Sequence, residues 1–170
     1  MTPNTHQHKG NHNHKCDLSL RHTVATLAYR AAKALRRAPP GFSSFRPAAG
    51  SRSAGEILAH MGDLVEWALT QSRGKERWRS SKTREWAEDS QRFFAALTAL
   101  DEYLASAAPL RATPERLFQG AVADALTHVG QIAMLRRLAG ARVRGENYSV
   151  AKIQVGRAGR KQAAPVSEFG

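Results

Sequence analysis

Apolar residues return every three or four positions in four separate stretches of this chain, a period that fits a helix packed on one face and no strand. From about Leu18 to Arg37 the series is Leu20, Val24, Leu27, Ala28, Ala31 and Leu35, and Pro39-Pro40-Gly41 closes it. Ser53-Ala-Gly-Glu56 has the form of a capping box and leads into Ile57, Met61, Leu64, Val65 and Ala68, which predicts a second helix over 54–72. Trp86, Phe93, Phe94, Leu97, Leu100 and Leu104 mark a third over 82–106. Thr113-Pro114-Glu115 reads as an N-cap with proline at the first helical position, so a fourth helix starts at Pro114, or nearer Ala121 if Gly120 interrupts it. It ends at Gly140, with Arg136 and Arg137 at its negative pole. The weak alternation over Tyr148 to Val155 allows a short extended segment and does not amount to a strand. The expectation is an all-α fold of four helices.

At 170 residues the chain has single-domain size and length enough for a sizeable core. Three parts are expected. Residues 1–16 are poor in apolar side chains and carry His6, His8, His12 and His14, the composition of a disordered tail with loose metal affinity. Residues 17–141 hold the helices, and 142–170 form a mostly irregular C-terminal extension. Cys16 is the one cysteine, so no intrachain disulfide forms and no thiol chemistry of the chain's own is indicated. Neither a signal-peptide core nor an apolar run of membrane-spanning length is present, which gives the expectation of a cytoplasmic protein without membrane contact.

The formal charge is +12. Lys9 and Lys15 contribute +2 within residues 1–16; Lys152, Arg157, Arg160 and Lys161 against Glu168 contribute +3 within 151–170, leaving +7 over 17–150. The excess is spread and is not gathered in one arm. No nucleic-acid reading motif accompanies it, so specific nucleic-acid binding is not expected, and attraction for small anions is.

Asp124 and His128 stand four apart on the fourth helix, where side chains at that spacing share a face. Asp124 lies among Val122, Leu126 and Ile132, and a carboxylate in an apolar setting needs a cation, hydrogen bonds or a metal. His60, three after Ile57 and four before Leu64, belongs to the apolar stripe of the second helix. A core histidine is the ordinary explanation of such a position, and the pair on the other helix is what points instead to a ligand. Two imidazoles and a carboxylate suit zinc with an open position, and also iron(II), manganese or nickel. Trp67, Trp78 and Trp86 read as core or loop anchors, with Trp67 also a candidate aromatic wall for a substrate. Arg73, Lys75 and Arg77 read as solvated charges.

His60 in Ile57-Leu-Ala-His-Met61, the stretch Thr127-His-Val-Gly-Gln-Ile132 and the helix pattern around them resemble the DinB superfamily over about residues 18–140. The resemblance implies a four-helix bundle, a divalent metal held by three side chains, and a homodimer. By position His60 and His128 correspond to metal-binding histidines of that family, while Asp124 stands where the family has another histidine. The third-ligand departure keeps the spacing and leaves metal preference open. Members include enzymes that use a low-molecular-weight thiol, so the resemblance further implies thiol-dependent transfer chemistry on a small-molecule substrate. Two other readings stand beside it: a non-enzymatic stress-response or DNA-associated protein, suggested by charge alone, and a bundle with a vestigial site in which Asp124 pairs with a histidine without metal.

Overall fold

The computed structural model describes the backbone of residues 9–170 and the side chains of residues 18–170. Its elements are helix α1 (Lys9–Leu35), α2 (Ala54–Ser72), α3 (Trp86–Ala105), α4 (Pro114–Leu117), a π-helical turn (Phe118–Val122), α5 (Ala123–Leu138) and two short strands, β1 (Gly145–Glu146) and β2 (Glu168–Phe169). The fold is mostly helical, with one two-residue antiparallel ladder that pairs Gly145 with Phe169 and Glu146 with Glu168. No helix among the described residues is long and apolar enough to cross a membrane.

α1 begins at Lys9, well before the expected Leu18, because a helix continues through polar residues that leave no apolar period to read. The rest of the expected tail, residues 1–8, lies outside the described residues. The capping box of α2 is as expected: the Ser53 hydroxyl accepts from the Glu56 N–H, and the Glu56 carboxylate accepts from the Ser53 N–H at 2.7 Å. α3 starts at Trp86, four residues later than expected, since Asp89 turns back to accept from the Arg84 N–H and holds 84–85 outside the helix. The fourth helix satisfies both expected starts. It begins at Pro114 with a Thr113 cap, and near Gly120 it widens into the π turn before resuming as α5.

The buried faces of α1, α2, α3 and α5 meet in one core, in which Val24, Leu27, Leu58, Met61, Phe93, Leu97 and Ile132 are almost wholly removed from solvent. Each side chain of this size contributes about 1.5–3 kcal/mol when fully buried. α2 packs most extensively on α3, and also against α5 and the π turn, so one face of α2 looks onto the helix that carries Asp124 and His128. Trp86 anchors α3 to the end of α1: its ring stands edge-on to Phe42, and its Nε1–H donates to the Leu35 carbonyl.

The C-terminal extension is irregular for most of its length and is fastened to α1. Lys33 Nζ reaches Glu146 at 2.7 Å and Glu168 at 2.8 Å, and the Tyr29 hydroxyl donates to the other oxygen of Glu146. Burial alone would lower the Lys33 pKa, but the two carboxylates outweigh it and raise the value. Residues 148–150 form a single helical turn, so the alternation over Tyr148 to Val155 does not give a strand.

Candidate metal centre

His60 projects from α2 toward α5, where Asp124 and His128 sit one turn apart. His128 Nε2 lies 3.4 Å from Asp124 Oδ1, and His60 Nε2 lies 3.6 Å from Asp124 Oδ2. The imidazole rings are 5.0 Å apart between centroids and inclined at 77°. One ligand atom from each residue falls within 4.8 Å of the other two. The three residues singled out in the sequence are therefore brought together, with all three lone-pair-bearing groups converging.

Separations of 3.4 and 3.6 Å are too long for good N–H···O hydrogen bonds, which cluster near 2.9 Å. Metal bonds of about 2.0–2.2 Å place the ligand atoms of a tetrahedral ion roughly 3.3–3.6 Å apart, and here the two imidazoles approach the two different oxygens of Asp124. The donor types suit a divalent ion, and the three residues lie close enough together that they could hold one.

His128 is held in the tautomer that such a site needs. Its Nδ1 lies 2.8 Å from Gln131 Oε1, and since a carboxamide oxygen only accepts, Nδ1 is the donor of that contact and Nε2 is the nitrogen turned toward Asp124. His60 is kept neutral by other means: burial lowers its pKa, the neighbouring His128 and Arg52 lower it further, and Asp124 and Asp63 oppose them without prevailing.

The surroundings differ on the two sides. Trp78 stands edge-on to His60 at 5.7 Å and to Trp67 at the same distance, making a short aromatic wall. Trp67 in turn lies beside Gly120 of the π turn, where an added Cβ would meet the indole at an ordinary contact distance of 3.7 Å. Of the three tryptophans, Trp78 meets His60, Trp67 stands behind Trp78, and Trp86 packs on Phe42. Beside the Trp78 loop, a polar cavity of about 370 Å³ includes His60 and Asp63 in its wall.

Asp124 corrects one expectation. Its apolar neighbours in sequence predict a carboxylate stranded among them, yet its side chain is 46% exposed, against 22% for His60 and 10% for His128. Val122 and Ile132 turn into the core while Asp124 faces the rim, so the centre opens to solvent on its carboxylate side. In the sequence Gln131 is only part of the stretch Thr127–Ile132; its three-residue spacing from His128 is the signal that it reaches the ring. Trp78 carried no such signal, because its loop has no period. Arg73 lies over the Tyr103 ring, away from the centre.

Comparisons with protein-family models, with curated proteins and with solved structures find no match to this chain.

Proposed function

We infer that this chain is a DinB-like metal-dependent protein: His60, Asp124 and His128 hold a divalent ion, zinc first among the candidates, in support of thiol-dependent transfer chemistry on a small molecule. The observation that carries the reading is the convergence of three ligand atoms within 4.8 Å, from two helices, at separations too long for direct hydrogen bonding. The same separations weigh against a vestigial Asp–His pair, which would close to hydrogen-bond distance.

When bound, a divalent ion supplies Lewis acidity, which lowers the pKa of a thiol that reaches it. The chain's own residues do the rest. Asp124 offers the one negative charge among the three ligands, His60 stays neutral through burial, and Gln131 keeps the proton of His128 on Nδ1. Trp78 covers one flank of His60, while the exposed side of Asp124 leaves an approach for a ligand. Three protein ligands with an open approach are the arrangement of catalytic zinc sites, whereas structural sites are closed by four.

The test is metal content in a background where His6, His8, His12 and His14 are alanine, so that the imidazoles at the chain's start do not contribute. Near-stoichiometric metal is expected in that background and a large fall after His60→Ala or Asp124→Ala. Unchanged metal in both variants would refute the ligand set.

A further inference from the structure

The cavity beside the centre has a charge pattern that selects its occupant. Arg46 and Glu56 satisfy each other through two hydrogen bonds of 2.9 Å. Asp63 is likewise satisfied, accepting from Arg92 Nη1 at 2.9 Å and from the Ser81 N–H at 2.9 Å. Arg52 lines the same cavity, is exposed, and forms no ion pair with any carboxylate among the described residues. The formal charges of Arg46, Arg52, Glu56 and Asp63 in the wall balance, and Arg52 is the wall cation left without an ion-pair partner, with His60 in the same wall and Ser80 and Ser81 adding polar groups between the Trp78 loop and the helix. Its volume of about 370 Å³ lies at the small end of ligand pockets.

We propose that this cavity is the substrate subsite of the centre and takes a small monocarboxylate, with Arg52 gripping the carboxylate and the molecule's other polar end reaching the His60, Asp124 and His128 cluster. This rests on the metal-centre reading above. A guanidinium matches a carboxylate through two parallel N–H···O bonds, which a lysine cannot reproduce. The single unpaired cation balances one negative charge, so a phosphate dianion would be left half compensated. Arg52 also exerts its field at His60, which places it within electrostatic reach of the centre. The internal pairing of Arg46 with Glu56 and of Asp63 with Arg92 keeps the other wall charges from competing for the ligand.

The test uses the full chain in the background with His6, His8, His12 and His14 replaced by alanine, loaded with cobalt(II), whose visible absorption reports thiol coordination. The probes are mercaptoacetate, 3-mercaptopropionate and 4-mercaptobutyrate, with 2-mercaptoethanol as the neutral comparison. At least one of the acids is expected to bind about tenfold or more tightly than 2-mercaptoethanol, the value of one charge-assisted contact. Arg52→Ala should abolish that preference while the cobalt absorption of the unliganded protein stays unchanged, and Arg52→Lys should restore part of it. Equal binding of acids and 2-mercaptoethanol, or a preference that survives Arg52→Ala, would overturn the subsite and leave the metal centre standing. Absence of cobalt absorption before any thiol is added would overturn the centre itself and the subsite with it.

Discussion

Gln131 Oε1 lies 2.8 Å from Nδ1 of His128, one helical turn further along α5, while Nε2 of the same ring faces Asp124. Outer partners of metal-binding histidines typically change metal affinity by about 10–100-fold. Gln131→Ala is expected to weaken zinc affinity within that range with little change in folding, since Gln131 is exposed. Competition with a chromophoric chelator measures it, and an affinity equal to wild type would show that the contact does not support the ring.

Asp124 gives the ligand set its only oxygen donor. Replacing it by histidine keeps the four-residue spacing to His128 and converts the set to three imidazoles. Asp124→His is expected to retain zinc and to lose manganese preferentially, because carboxylates favour the harder ion. Relative affinities for the two metals check this; a manganese affinity that holds up in the variant would mean that Asp124 is not a ligand.

Arg136 ties the last turn of α5 to the end of α1. Its guanidinium donates to the carbonyls of Ala34, Arg36 and Arg37, the last at a left-handed residue with φ 53°. Arg136→Ala removes all three donors from a site that is almost wholly buried, and a loss of about 2–4 kcal/mol is expected in urea denaturation. A loss below about 0.5 kcal/mol, the range of ordinary surface substitutions, would contradict that role.

Glu56 responds to acid in a definite direction. The Arg46 guanidinium first, and the Ser53 N–H second, hold its carboxyl at about 2 against an ordinary 4.5. A group whose folded pKa is depressed contributes stability above its unfolded value and loses it as pH falls through the folded one. The difference in melting temperature between wild type and Glu56→Gln should therefore be full above about pH 5 and shrink toward pH 2. A difference that is constant across that window would contradict the assignment.

What the sequence made legible was local. Ser53 and Glu56 announce α2 because a capping box is written in four consecutive residues, and His60, Asp124 and His128 are readable because helical spacing fixes which side chains share a face. What was not legible depended on partners distant in the chain or on local backbone choice. Glu146 meets Lys33 across 113 residues, so the fastening of the C-terminal extension has no sequence signature. The widening at Phe118–Val122 gives the fourth helix two apparent starts, and the outward turn of Asp124 follows from how α5 docks on α2 rather than from its neighbours in sequence.

The most direct measurement is anomalous diffraction at the zinc edge from crystals of the full chain grown with zinc. A single strong peak bonded to His60 Nε2, a carboxylate oxygen of Asp124 and His128 Nε2, each at about 2.0–2.2 Å, is the predicted result. No peak between these three residues, with Asp124 closed onto one imidazole at hydrogen-bond distance, would contradict the metal centre.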